Sequence, residues 1–417
     1  MNEREQRGLI IAATCRLTKQ ESGEWSVPSQ SGKGRYIVTP DAATPRCTCP
    51  DYETRGCKCK HIFAVEYAIR RETDANGDTV VTQTVTVTET VKRQTYPQVW
   101  EAYNQAQTHE KDHFLQLLHD LCRGIQDNTP KNEKGGRPRI PAADAVFAVC
   151  FKVYSTFSGR RFMSDLRRAQ ELGYIDRTPH FNSIFNALDN AELTPVLHAM
   201  IRETSLPLKT VEQDFAGDSS GFCTSRFVRW FDVKYNAFRQ QHEWVKCHLM
   251  CGVKTNIVTA VVILDKDAAD TKQMPALVEE TKKNFTMREV SGDKAYGSLE
   301  NYAAIADAGA TPFIAFKSNA TGESGGPDGL WSRMFHYFCF RREEFLNHYH
   351  KRSNVESTFG MIKAKFRDHV RAKTDTAMKN EVLAKIVCHN ICCLIQEMYE
   401  LGIEPAFWQP KTVLHKN

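Results

Sequence analysis

The sequence predicts an α/β protein built in three parts, and three observations support that prediction. A dense cluster of cysteines lies in the first part, residues 1–73. After a polar linker at 74–95, apolar residues recur at helical spacing through residues 96–207. Within residues 208–417, short apolar runs alternate with helical patterns and then give way to long helices. That order is typical of a mixed α/β domain.

Composition places the chain among soluble globular proteins. Of its 417 residues, 41% are hydrophobic and 25% are charged, which is the usual range for that class. No run of 18 or more apolar residues occurs, and the segment after Met1 lacks a signal-peptide pattern. We therefore expect a cytoplasmic protein without a membrane partner. Fourteen cysteines in a reducing compartment favour metal ligands and buried thiols over disulfides.

Periodicity assigns the individual elements. Apolar runs predict strands at 211–216, 247–253, 256–264, 288–291 and 311–316. Helical spacing predicts helices at 100–125, 142–154, 164–172, 178–188, 194–204, 274–284, 345–373 and 377–399. The helices from Ala142 to Thr204 fit either a helix-turn-helix or a plain helical support for the domain that follows.

The cysteine cluster has the spacing of a zinc site. Cys47, Cys49, Cys59 and His61 form the pattern Cys-x-Cys, nine residues, Cys-x-His. Thiolate and imidazole are the ligands that zinc prefers, and four of them close a tetrahedral structural site. Cys57 is a fifth candidate that could replace Cys59. The pattern resembles SWIM-type zinc fingers over roughly residues 24–70, which implies a structural Zn²⁺ and a surface that binds DNA or protein.

Acidic residues at strand ends offer a second kind of metal site. Asp218 follows the apolar run 211–216, and Asp293 follows the short run around Val290. Hard divalent cations such as Mg²⁺ take oxygen ligands, so a site for them needs carboxylates that converge. Each acid alone is weak evidence, because strand ends commonly carry acids.

Glu356 lies within a more informative pattern. On a continuous helix Tyr349, Arg352, Glu356 and Lys363 fall within about 60° of one another. Glu356 could hold a metal ion there, while Arg352 and Lys363 hold phosphates. A capping box beginning at Ser353 is an equal alternative, with Glu356 serving only the start of its own helix.

The spacing Tyr349-x2-Arg352-x3-Glu356-x6-Lys363 resembles the Y-R-E-K signature of insertion-sequence DDE transposases. Gly217-Asp218-Ser219 and Gly292-Asp293-Lys294 resemble the surroundings of that family's first and second catalytic acids. The resemblance covers roughly residues 135–400. An N-terminal SWIM-type finger is not a standard part of such transposases.

The resemblance implies an RNase H-like fold with Asp218, Asp293 and Glu356 as catalytic ligands of two Mg²⁺ or Mn²⁺ ions. It implies DNA contacts by Tyr349, Arg352 and Lys363. The expected partners are the double-stranded DNA of transposon ends and of the target, and a second copy of the chain as a homodimer on DNA. Two rival functions remain: an RNase H-like nuclease without strand transfer, and a zinc-dependent DNA-binding protein with an inert catalytic domain.

Several features allow two interpretations. Gly136-Arg137-Pro138 fits a minor-groove hook or, more often, a basic linker. The excess of five positive charges between Tyr349 and Lys373 fits a phosphate-binding stripe or a solvated helix face. Trp331 could stack on an extruded base or belong to the core. A second cluster is better explained as packed thiols than as metal ligands; it comprises Cys388, His389, Cys392 and Cys393.

Overall fold

The computed structural model describes residues 2–30, 34–41, 43–73, 79–83, 99–126, 139–224, 244–264, 271–317, 319–324, 326 and 329–408. The chain forms two compact units. The first unit comprises Met1–Tyr96, Gly297–Ala303 and Phe313–His350, and the second comprises Pro97–Tyr296, Ala304–Pro312 and Lys351–Asn417. The domain boundaries predicted from the sequence, after residues 73, 95 and 207, stay predictions.

The N-terminal segment of the first unit combines three helices with small sheets. Helix α1 (Glu3–Thr14) begins with a capping box made by Asn2 and Glu5. A four-stranded antiparallel sheet and two helices follow, and a two-stranded sheet comes after them. The bounds are β1 (Thr18–Lys19), β2 (Trp25–Pro28), β3 (Arg35–Thr39), β4 (Arg46–Cys47), α2 (Pro50–Arg55), α3 (Lys60–Ala68), β5 (Ile69–Thr73) and β6 (Thr79–Gln83).

The second unit begins with helices that share one core with the sheet behind them. Their bounds are α4 (Trp100–Thr108), α5 (Glu110–Arg123), α6 (Ala142–Ser155), α7 (Gly159–Glu171), α8 (Phe181–Leu188) and α9 (Leu193–Ser205). Phe114, Phe147 and Leu197 are among the fully buried members of this core. The apolar periodicity of the sequence therefore predicted the buried faces of these helices correctly.

A five-stranded mixed sheet follows, in the order β11-β10-β7-β8-β9. The bounds are β7 (Asp214–Cys223), β8 (Trp244–Gly252), β9 (Val258–Leu264), β10 (Glu289–Gly292) and β11 (Thr311–Ile314). Strand β8 runs antiparallel to both of its neighbours, β7 and β9, whereas β10 runs parallel to β7. In that parallel pair Gly292 is the register partner of Gly217.

The remaining helices lie between and after these strands. Their bounds are α10 (Met274–Lys282), α11 (Leu299–Asp307), α12 (Leu330–Phe340), α13 (Arg342–Tyr349), α14 (Ser353–Phe366) and α15 (Asp375–Glu400). By length and composition α15 could cross a membrane, but 78% of its most apolar window is buried inside the protein. It is therefore a core helix.

The two faces of the sheet are covered by different helices. Helix α10 packs against β8 and β9, and its Met274 lies 3.1 Å from the position that a Cβ of Gly217 would take. Helix α14 packs against β7 and β8. Side chains alternate between faces along a strand, so Asp218 points away from Gly217 and towards the side of α14.

Several predicted elements need correction. Strand β7 begins at Asp214 and runs to Cys223, so Asp218 lies inside the strand and not beyond its end. The helix predicted at 345–373 is broken by a 3-10 turn at His350–Arg352, and it ends at Phe366, where Arg367 takes a positive φ of 76°. The helix predicted at 100–125 is divided at His109. Helices α11 and α12 were not predicted.

Candidate functional site

Adjacent strands bring Asp218 and Asp293 together. Gly217 and Gly292 are paired in the parallel register of β7 and β10. Asp218 is the next residue within β7, and Asp293 is the first residue after β10. Neighbouring strands lie about 4.8 Å apart, so residues 75 positions apart in the chain become neighbours. A short 3-10 turn, Lys294–Tyr296, begins directly after Asp293.

Helix α14 lies along the face of β7 that carries Asp218. Lys363 donates a hydrogen bond of 2.6 Å from Nζ to the Oγ of Ser220, and its ammonium lies 5.4 Å from the centre of the Phe222 ring. Asp218, Ser220 and Phe222 alternate onto one face of the strand. Lys363 therefore occupies the same face as Asp218, two residues further along β7.

Electrostatics place Glu356 and Arg352 near Asp218. The pKa of Asp218 is raised to about 6, chiefly by burial and also by the negative charges of Asp293 and Glu356. A hydrogen bond from the amide of Ser219 and the charge of the Arg352 guanidinium act in the opposite direction and lower this pKa. A divalent cation would relieve this repulsion among carboxylates, so the donor set fits such an ion.

Glu356 is held by Arg352 and not by a capping box. Arg352 Nη1 lies 2.8 Å from Glu356 Oε1, and the Glu356 side chain remains 56% exposed. Helix α14 begins at Ser353 with no side-chain cap, because the preceding residue is already helical. The capping-box alternative is therefore wrong. The single helical face predicted for the four-residue signature is also wrong, since Tyr349 ends α13.

The three carboxylates are less tightly grouped than the cysteine cluster. Within the described ranges, Cys47, Cys49, Cys59 and His61 are the one group of three or more potential ligands whose ligand atoms all lie within 4.8 Å of one another. Carboxylates that bind two ions about 4 Å apart do not need to lie so close. Whether Asp218, Asp293 and Glu356 bind metal stays a prediction.

A salt-bridge network that the sequence analysis missed lies at the beginnings of the two strands. Asp214 and Glu289 are register partners, each four residues before an acid of the site. Arg288 binds Asp214 through two hydrogen bonds of 2.8 and 2.6 Å. Lys351 bonds to Asp214 at 2.8 Å and also to Glu289. This network, the strand clamp, fixes the register of β7 against β10 (the shared four-residue spacing was its only signal in the sequence).

The cysteine cluster lies where three elements of the first unit meet. Cys47 ends β4, Cys59 immediately precedes α3, and His61 lies in the first turn of that helix. Nδ1 of His61 is 3.9 Å from the Sγ atoms of both cysteines. Ligands about 2.0–2.3 Å from a tetrahedral zinc would be about 3.5–3.8 Å apart. The group therefore fits zinc with little adjustment, and Cys49, which precedes α2, is placed where it would supply the fourth ligand.

Cys57 lies outside this group. Its side chain is exposed, and its Sγ accepts a hydrogen bond of 3.0 Å from Arg4. The geometry therefore favours Cys59 over Cys57 as the ligand. Among the cluster thiols, a hydrogen bond from Cys47 lowers the pKa of Cys59, and contact with His61 lowers it further.

Two of the features that allowed two interpretations in the sequence have a packing role in the structure. The indole N–H of Trp331 donates to the carbonyl of Thr321 at 2.8 Å, and its ring packs against Tyr302 and Phe316, so the core alternative is correct. The second cysteine cluster on α15 consists of packed side chains, with His389 bonded to the carbonyl of Asn256. Gly136-Arg137-Pro138 lies outside the described residues.

Asp218→Asn should stabilise the metal-free protein. The folded-state pKa of about 6 exceeds the ordinary value of 3.8. The folded protein therefore binds a proton at Asp218 more tightly than the unfolded chain does, and it loses stability as the pH rises from 3.8 to about 6. At about pH 7.5 we expect a free energy of unfolding higher by about 1–3 kcal/mol, and near pH 4 almost no difference. Urea unfolding at both pH values measures this. Equal stabilities at the higher pH would contradict the buried, repelled carboxylate.

Two segments of the chain match models of known protein families. Residues 209–391 match the family model described as Transposase DDE domain, and residues 36–70 match that of the SWIM zinc finger. No curated protein and no solved structure matched the chain. Both resemblances drawn from the sequence are confirmed, and so is the RNase H-like fold, since the DDE match coincides with the mixed sheet.

Proposed function

We propose that this protein is a DNA transposase that cuts transposon ends and joins them to target DNA. Its matches to the transposase DDE domain and to the SWIM zinc finger support this proposal. The observation that carries the proposal is the pairing of β7 with β10, which makes neighbours of Asp218 and Asp293. The charge of Glu356, on a helix that packs against β7, acts on Asp218. All three acids of the signature are present, which argues against an inert domain.

We propose Asp218, Asp293 and Glu356 as the ligands of two Mg²⁺ or Mn²⁺ ions. Once bound, such ions would activate the attacking oxygen and stabilise the leaving oxygen. Arg352 would then exchange its contact with Glu356 for one with a phosphate. The partly buried position of Asp218 keeps solvent from one side of the site, which strengthens its hold on a cation.

The proposed reaction has two steps with the same attack geometry. Water first attacks a phosphorus at the transposon end, the bond to the 3′ oxygen breaks, and that oxygen leaves with a proton as a 3′-hydroxyl. The 3′-hydroxyl then loses its proton and attacks a target phosphorus, where the bond to the target strand's own 3′ oxygen breaks and that oxygen takes up a proton. Lys363, which already bonds to Ser220 on the Asp218 face, and Arg352 would orient phosphates, while Tyr349 would contact the DNA backbone.

The partners follow from this chemistry. Two transposon ends must be joined in one event, so we propose a homodimer on double-stranded DNA. We further propose that Cys47, Cys49, Cys59 and His61 bind a structural Zn²⁺, and that the protein acts in the cytoplasm on accessible DNA. The middle helices α4 to α9 would support the catalytic domain or contribute to DNA binding.

Strand transfer separates the proposal from the nuclease alternative. Purified protein with Mg²⁺ and a pre-cleaved end carrying a free 3′-hydroxyl should join that end covalently to a supercoiled plasmid. A matched end with a 3′-deoxy terminus should give no joined product, because it lacks the attacking oxygen. Cleavage of uncut ends without any joining of pre-cleaved ends would favour the nuclease. Inverted repeats flanking the reading frame supply the end sequence to use.

A further inference from the structure

The zinc finger and the segment before Glu356 belong to one compact unit. Helices α12 and α13 lie between the second and third acids in the sequence, yet they belong to the unit that contains the finger. Helix α1 contacts both sides, since it packs against α3 of the finger and against α12. The α1–α3 contact is close, because a Cβ added to Gly8 would lie 2.4 Å from the Cβ of Phe63.

Polar groups reinforce both contacts of α1. Tyr67 of α3 donates a hydrogen bond of 3.2 Å to Glu5 of α1. At the other end, α1 has no basic residue in its last turn, although a helix C-terminus favours a cation. The guanidinium of Arg342, the first residue of α13, lies 5.2 Å from the centre of the Phe338 ring of α12, and its charge interacts with Cys15, the residue that caps α1.

The junction is buried. Cys339, near Arg342 at the end of α12, is 8% exposed. Within the described part of the chain, Arg342 Nη1 is buried without a hydrogen-bond partner, so its position depends on packing and charge. Helix α13 ends at Tyr349, and only three further residues separate it from the start of α14.

We propose that the zinc finger is an intramolecular brace, holding α12 and α13 through α1 and thereby fixing the segment that leads into Arg352 and Glu356. Zinc occupancy then controls the catalytic segment without the finger touching DNA. This inference rests on the proposed function for its consequence in catalysis, but not for the brace itself. A small domain held together by zinc loses its packing surface when the ion leaves, and α1 would release α12.

Thiol labelling of the full-length protein tests the brace without any activity measurement. Zinc is removed with a chelator, the protein is pulsed with iodoacetamide, and alkylation is mapped by mass spectrometry. Cys339 should be labelled about 10-fold or more faster after zinc removal. Cys247, which is fully buried in the second unit, is the matched reference and should stay protected. Continued protection of Cys339 in zinc-free protein would overturn the proposal.

Two neighbouring arginines supply the matched variants. Arg342→Met keeps the apolar stem and removes the charge at the end of α1, whereas Arg341 is 73% exposed, so Arg341→Met is the control. We expect Arg342→Met to retain one zinc ion per chain, to label faster at Cys339 and to lose end cleavage, with partial rescue in Arg342→Lys. Cys339 protection equal to that of the control would overturn the role of Arg342.

The two proposals fail in different ways. If zinc removal exposes Cys339 but the intact protein joins no DNA ends, the brace holds and the transposase function fails. If intact protein joins ends while Cys339 stays protected without zinc, the function holds and the brace fails. An Arg342→Met variant that does not fold leaves the chelation experiment on the unaltered chain to decide.

Discussion

Glu356→Gln is expected to lower DNA-end cleavage by about 1,000-fold or more while DNA-end binding persists. The amide keeps the shape of the side chain and can still accept a hydrogen bond from Arg352, which lies 2.8 Å from the carboxylate. It removes one negative charge from the group that includes Asp218 and Asp293, so the affinity for a second divalent ion falls. Cleavage of labelled ends in Mg²⁺ and a gel-shift titration measure the two quantities.

Glu279→Gln is the matched control for this charge loss. Glu279 is an exposed residue of α10, 63% accessible and paired with Lys282, and α10 covers the other face of the sheet. The control should cleave at the parent rate. Cleavage near the parent rate in Glu356→Gln would mean that Glu356 binds no catalytic metal, and the assignment of the third acid would fail.

His61→Ala should abolish zinc binding and unfold the N-terminal region of the first unit. Apparent binding free energies of structural zinc sites are about 10–16 kcal/mol, more than a small domain can supply from its own core. The buried residues around the cluster, such as Trp25 and Val38, would lose their protection from hydrogen exchange. Metal analysis and exchange measured on the full-length variant report the two losses.

Cys57→Ala distinguishes the two possible ligand sets. Cys57 is exposed and contacts Arg4, so this variant should bind one zinc ion and exchange like the parent. Loss of zinc in Cys57→Ala would show that Cys57 replaces Cys59. Retention of the native exchange pattern in zinc-free His61→Ala would show that the cluster does not hold the fold together.

The zinc group was predictable because its information is local. Cys47, Cys49, Cys59 and His61 lie within fifteen residues, and their spacing alone restricts the geometry to a few arrangements. The carboxylates are different, because their approach depends on which strands pair and in which register. Neither property is encoded in the residues next to Asp218 or Asp293, so only the resemblance to a known signature linked them in advance.

The errors at the site have physical causes. Strand β7 continues through Ser219, Ser220 and Gly221, which lack the apolar pattern of a strand, because Lys363 bonds to Ser220 and Trp244 covers Gly221. The helix break before Ser353 was missed for a similar reason. Lys351 in the 3-10 turn bonds to Asp214 and Glu289, and these tertiary contacts outweigh the continuous helical pattern of the sequence.

The strand clamp limits which changes in length the chain can tolerate. In both β7 and β10 three residues lie between the clamped acid and the acid of the site, so one residue inserted into either stretch would turn Asp218 or Asp293 to the opposite face. Strand register does not fix the length of the segment between Asp293 and Glu356, because helices α11 to α13 lie between them. Homologous proteins should therefore vary freely in the number of residues between the second and third acids of the site. The segments between each clamped acid and its site acid should keep a constant length.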